Sequence, residues 1–183
     1  MRVSREQFRE NREKILKAAS RLFRERGFEA VGVADVMKEA GLTHGGFYGH
    51  FKSKDDLVAQ AAAAASSDPI AGWERLVESQ GAKALPAIAE AYLSDTHCQG
   101  VGSGCVLAAL GPEIARLPSG ARDDVTGNMK RIVDLLAKAE GEGPQARRKA
   151  LKAYAAWIGA MVIARASNDE ALSKEVRTAA AEG

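Results

Sequence analysis

Two groups of residues carry side chains able to do chemistry. The first is His97-Cys98, followed by a glycine-rich stretch through Gly100, Gly102 and Gly104, and then Cys105. A thiolate held near a protonated histidine is a nucleophile, so this arrangement suits a sensor of electrophiles or oxidants. The plain alternative is two inert, partly buried thiols. A Cys/His hydrolase would also need an oxyanion site and a third, orienting residue, and neither stands in the sequence. The glycines do not form a phosphate loop, because no strand precedes them and no Gly-Lys-Ser/Thr end follows. The second group is Thr43, His44, Tyr48, His50, Lys52 and Lys54, a run of polar donors around one short stretch. Such donors suit phosphate oxygens. His44 and His50 stand i,i+6, on different faces of a helix with no third ligand near, and His97, Cys98 and Cys105 lack a fourth, so no metal is expected. No cofactor is expected either.

The charge distribution supports a polyanionic partner at one end. The chain has 183 residues and a net charge of +2, but residues 1–26 hold nine basic against four acidic residues, a local +5 that leaves −3 for the rest. A solvated helix face with pairs such as Glu10–Lys14 is the competing explanation. The composition, 46% hydrophobic and 27% charged, excludes a disordered tail, a fibre and a disulfide scaffold. The longest apolar runs, such as 61–65, fall far short of the roughly 20 residues that span a bilayer. With two cysteines and no signal-like apolar block near the N-terminus, the sequence predicts a soluble cytoplasmic protein with free thiols and no membrane partner.

These residues must be positioned by helices, since no segment alternates as a strand does. Ile15, Ala18, Ala19, Leu22 and Phe23 form one apolar stripe at i, i+3, i+4, i+7 and i+8. Gly27 ends that helix. A second helix is predicted over 34–40, broken by Gly41, and a third over 44–50 with Thr43 as its N-cap. Ser53 caps a fourth, with Asp55 and Asp56 in its first turn. Beyond residue 69, helices are predicted over 70–79, 83–95, 104–116, 120–140, 145–166 and 169–181. Pro112 is expected to kink the third of these or to end it at Gly111. The fold class is all-α, an N-terminal three-helix unit on a larger helical domain.

Residues 36–48 run helix, tight glycine turn, helix, the layout whose second helix enters the DNA major groove. Gly45 and Gly46 would each cost a helix about 1 kcal/mol relative to alanine. Either they bring backbone close to a phosphate or base edge, or the helix begins near Phe47 and they belong to the loop.

With that pattern in view, residues 15–58 resemble the DNA-binding domain of the TetR family of transcriptional regulators. The resemblance rests on Ile15, Ala18-Ala19, Leu22-Phe23, Gly27-Phe28, Val36, Ala40-Gly41-Leu42-Thr43, Gly45, Phe47-Tyr48, His50-Phe51-Lys52, Lys54 and Leu57. It implies a DNA-binding regulator, a repressor rather than an enzyme, that holds a palindromic double-stranded operator as a homodimer and is released by a small-molecule effector. It implies that Thr43 caps the recognition helix and contacts a phosphate. His44, Gly45 and Gly46 would face base edges or pass close to the backbone, Tyr48 and His50 would reach phosphates, and Lys54 would contact phosphate through its ammonium or nearby amides. Two positions depart from the family: Gly32-Val33 replaces the usual hydroxyl residue before the second helix, and Gly49 replaces a larger or basic one. The basic extension with Arg2, Arg5 and Arg9 is a candidate compensation, reaching adjacent phosphates or a minor groove.

The expected division is 1–58 for DNA binding and 59–183 for effector binding and dimerisation. The last two helices, with Leu151, Tyr154, Ala155, Ile158, Met161, Val162, Ala166, Leu172 and Val176, are expected to pair with their copies, although an internal core would use the same residues. The effector pocket is expected among helices 70–141, lined by Trp73, Leu76, Tyr92, Leu107, Leu110, Met129, Val133 and Trp157, types that a plain core would share. Cys98 and Cys105 remain an alternative signal site, and a ligand-binding module without DNA remains an alternative function.

Overall fold

The computed structural model describes residues 4–182, and among them every regular element is a helix. Helix α1 (Arg5–Arg26) starts where the Ser4 hydroxyl accepts the Gln7 amide at 3.1 Å, and stops at Gly27, whose φ of 84° suits a residue without a Cβ. Helix α2 (Val33–Glu39) follows Gly32, whose N–H donates to the Asp35 carboxylate at 2.9 Å. The chain turns at Gly41, φ 70°. A 3-10 turn (His44–Gly46) leads into α3 (Phe47–His50), and α4 (Lys54–Ser67) follows with Ser53 accepting the Asp56 amide at 3.1 Å.

The remaining helices are α5 (Ile70–Gln80), α6 (Ala84–Tyr92), α7 (Asp95–Gln99), α8 (Val106–Ala115), α9 (Ser119–Glu140), α10 (Pro144–Ala166) and α11 (Glu170–Glu182). Pro112 sits inside α8 without ending it. The expected helix over 83–95 is divided, since α6 stops at Tyr92 and α7 begins at Asp95. Ser94 breaks it, because its hydroxyl caps the new helix by accepting the His97 amide at 3.2 Å. The glycine-rich stretch is a 3-10 turn over Val101–Ser103.

Two apolar cores position the functional surfaces. The first gathers Ile15, Ala19, Leu22 and Phe23 of α1 with Val36, Met37, Phe47, Phe51 and Leu57, and continues into α8 and α9 through Val106, Leu110, Ile114 and Val125. Fully burying a side chain of this size contributes roughly 1.5–3 kcal/mol. The division expected at residue 58 falls inside α4, which runs unbroken to Ser67 because Ala61, Ala62 and Ala65 continue the buried face begun by Leu57 and Val58. The second core joins α5, α6, α9 and α10 through Ile70, Ile88, Leu136, Trp157 and Met161. Among the described residues no helix is long and apolar enough to cross a membrane.

Candidate nucleic-acid interface and cavity

The stretch from Thr43 to Gly49 is exposed at every position except Phe47, which is fully buried. Phe47 stacks on Phe51 with ring centroids 5.7 Å apart and so pins a short helix too brief to stand alone. Above this anchor, Tyr48 is 70% exposed. A Cβ built on Gly45 or Gly49 would meet no heavy atom within 4 Å, so both glycines present bare backbone to open space. The α-helix begins at Phe47, and Gly45 and Gly46 lie in the 3-10 turn before it. Thr43 holds the N-cap position in extended backbone, but its hydroxyl makes no capping bond, because the Gly46 amide is taken by the Thr43 carbonyl at 3.0 Å. That hydroxyl therefore stays exposed beside His44.

His50 is only half exposed. Its ring stacks under Phe8 at 4.2 Å, and burial together with the nearby Arg12 charge lowers its pKa from the ordinary histidine value. It faces the surface as a neutral imidazole. Lys54 opens α4, and its ammonium donates to the Glu29 carbonyl at 3.3 Å. Arg5 and Arg9 lie on the exposed first turns of α1, whereas Arg2 falls outside the described residues.

Arg12 is a positioning residue with no sequence signature. Its Nη1 donates to the His50 carbonyl at 2.6 Å, its Nη2 donates to Gln60, and its guanidinium lies 4.5 Å from the Phe51 ring centre. It thus ties the C-terminal end of α3 to α1 and α4 by a charge-assisted bond.

A cavity of about 440 Å³ opens between α4, α5, α6, α7 and α8. Trp73, Tyr92 and Leu107 of the expected residues line it, joined by His97, Cys105 and Tyr154. Leu76, Leu110, Met129, Val133 and Trp157 lie outside the lining, in the two cores. Trp157 still backs the aromatic wall, edge-on to Trp73 at 6.3 Å and 6.0 Å from Tyr92. Cys98 is half-buried and packs against the second core, so only Cys105 of the two thiols faces the cavity.

His97 has both ring nitrogens committed to backbone. Nδ1–H donates to the Tyr92 carbonyl, and Nε2 accepts the Cys105 amide at 2.9 Å. A second proton on Nε2 would collide with that amide hydrogen, and burial already lowers the His97 pKa. A protonated His97 therefore does not supply positive charge to the thiols. Arg165 occupies that role instead. Its Nη2 and Nε donate to the His97 and Cys98 carbonyls at 2.8 and 3.0 Å, and its charge interacts with both cysteines. Burial and the neighbouring Cys105 push the Tyr92 hydroxyl well above the ordinary tyrosine range, so it is always a neutral O–H. Among the described residues, neither that hydroxyl nor Arg165 Nη1 meets a hydrogen-bond partner within 3.5 Å of suitable geometry.

Comparison with known proteins finds a family pattern in the N-terminal helices. The pattern described as "Bacterial regulatory proteins, tetR family" matches residues 15–61. The transcriptional repressor NemR of Escherichia coli is 28% identical over 173 residues, covering 86% of this chain and 85% of NemR. The crystal structure of reduced E. coli NemR superposes with a TM-score of 0.77 over 92% of this chain and 95% of that one at 22% identity. A TetR-family transcriptional regulator from Agrobacterium tumefaciens gives a TM-score of 0.79 at 24% identity, covering 95% and 97% of the two chains. The Bacillus subtilis regulator YerO is 42% identical over 52 residues, 28% of this chain, but those residues span only 18% of YerO's own length. The two solved structures establish that the fold is shared along nearly the whole chain.

Proposed function

We propose that this chain, a TetR-family helix-turn-helix transcriptional regulator, binds a palindromic operator in the cytoplasm as a homodimer, represses transcription there, and lets go when a small molecule occupies the cavity beside α7. The observation that carries the DNA reading is the exposed run from Thr43 to Gly49, seated on the fully buried Phe47. Bare backbone at Gly45 and Gly49 allows the close approach that major-groove docking needs, and Thr43, Tyr48 and Lys54 surround it with donors. NemR, similar along most of its length, is a repressor. Catalysis finds no support in the thiol cluster, because His97 has no free nitrogen to act as a base for either cysteine.

Operator affinity is expected to fall steeply with salt, with a log–log slope of about −0.9 for each phosphate neutralised. Tyr48→Ala should weaken binding to all sequences alike, by about 10-fold for one lost hydrogen bond. Lys54→Ala should make the salt slope shallower by about 1, while a substitution at His44 should change base preference. Anisotropy titrations at several salt concentrations check all three. An unchanged slope in Lys54→Ala would remove that residue from the interface.

A thiol signal is the second reading, favoured by the position of Cys105 in the cavity wall near Arg165 and the Tyr92 hydroxyl. A cation and an O–H donor stabilise the oxyanion of an oxidised sulfur. The crystallised NemR is described as a reduced form, which suits a redox signal. Treatment with N-ethylmaleimide should release the wild-type protein from DNA and leave the Cys98→Ser, Cys105→Ser variant bound. Equal release of both would place the reagent's action elsewhere.

A further inference from the structure

The turn between α7 and α8 touches the cavity on one side and α1 on the other. Ser103, Gly104 and Cys105 line the cavity. One residue earlier, the Gly102 carbonyl accepts Arg24 Nε at 2.8 Å. Arg24 is only 8% exposed, and its other contact is a weaker one with Asp68 at 3.4 Å. The turn packs closely on α1: a Cβ on Gly102 would stand 2.4 Å from Glu25 Oε1 and 2.9 Å from Arg21 Cγ. A shift of the cavity wall at 103–105 therefore reaches α1 within a single residue.

The same segment is anchored from behind. Arg165 of α10 donates to the His97 and Cys98 carbonyls, and Arg177 of α11 donates to the Leu93 carbonyl at 2.7 Å and pairs with Asp95. Arg177 is 7% exposed. Residues 93–98 are thus fixed to the C-terminal helices, while Gly102 is fixed to α1. An occupant of the cavity that pushes on this segment acts on 100–105 between two fastenings, Arg24 of α1 at the Gly102 carbonyl and His97 Nε2 at the Cys105 amide.

Helix α1 can carry such a shift to the DNA-reading surface. Arg24 and Arg12 lie on one unbroken helix, with about 1.5 Å of rise for each residue between them. Arg12 holds the His50 carbonyl at the end of α3. An unbroken helix fastened at both positions moves as one body between them, so a tilt imposed at Arg24 reappears at His50. We propose that Arg24 is the positioning residue through which occupancy of the cavity reaches the recognition helix, by way of its bond to the Gly102 carbonyl. This deepens the proposed function and rests on its reading of the cavity as the effector site.

The test fills the cavity without needing the natural effector. Cys105→Trp places an indole in the cavity wall, and N-ethylmaleimide on Cys105 in a Cys98→Ser chain fills it by a second route, should the tryptophan variant fold poorly. Amide hydrogen exchange in the full chain is read over 21–28 and 47–51. Filling the cavity by either route should accelerate exchange in both segments by about fivefold or more. In an Arg24→Gln background, the same filling should leave both segments within about twofold of Arg24→Gln alone and disturb only 94–106. Equal acceleration with and without Arg24 would overturn the proposal, and so would no acceleration at 47–51 in the Arg24 chain. Operator binding by the same variants is measured separately. Coupling seen in exchange without any DNA binding would sink the DNA reading and leave the Arg24 link standing.

Discussion

Val162→Asp should give a folded monomer whose operator affinity is at least about 100-fold below that of the wild-type protein. Val162 is 44% exposed, and with Leu151 and Ile163 it leaves an apolar strip on the outward side of α10, while Leu172 is an exposed apolar residue of α11. Exposed Ala155 lies on the same strip and would let a second helix approach closely. A two-fold contact places residue 162 of both copies in one interface, so a single substitution adds two carboxylates there. Their desolvation and mutual repulsion oppose association. Once the copies part, the second half-site no longer benefits from the roughly millimolar effective concentration of a linked head, and that loss sets the size of the effect. Sedimentation equilibrium at micromolar protein, with helicity as a control, checks the first half, and anisotropy checks the second. A Val162→Asp chain that stays dimeric would move the interface away from α10. Met161, one residue earlier, makes a useful contrast. It is fully buried inside its own protomer, so a charge there should unfold the chain rather than split a dimer.

Phe47→Ala should lower stability by about 3–5 kcal/mol and abolish operator binding. The ring is fully buried, stacks on Phe51, and meets Tyr48 edge-on at 5.2 Å. Helix α3 spans four residues and has no stability of its own, so this ring fixes its direction. Removing it leaves a cavity in the first core and releases the surface that carries Tyr48 and Gly49. Chemical denaturation followed by circular dichroism reads the stability change. A loss below about 1 kcal/mol would mean that Phe51 and Met37 close over the gap.

The N-terminal helices were legible because burial repeats with the helix period. Ile15, Ala18, Ala19, Leu22 and Phe23 predict a buried stripe, and all five are buried. The turn through Gly41 could be read because only a few residue types accept a positive φ. Helix α7 was not legible, since five residues between Ser94 and Gly100 show no period, and its start depends on a hydroxyl cap. The arginines escaped for a different reason. Arg12, Arg24, Arg165 and Arg177 all bond main-chain carbonyls at least 38 positions away, and a carbonyl has no residue type to search for. The cavity was legible only through Trp73, Tyr92 and Leu107, because apolar residues that line a space and those that fill one are the same types. His97 misled for want of geometry: beside a cysteine it suggests a charge, but two backbone bonds hold it neutral.

Selection of bound sequences from random double-stranded DNA by the wild-type chain decides whether it reads a symmetric operator. A homodimer reading DNA through Thr43–Gly49 predicts recovery of one palindromic sequence, with half-site centres about 10 base pairs or a multiple of that apart. The same selection with Tyr48→Ala should recover that sequence more weakly without changing it. Recovery of no shared sequence, or of a single half-site without symmetry, would contradict the account of this chain as a dimeric operator-binding regulator.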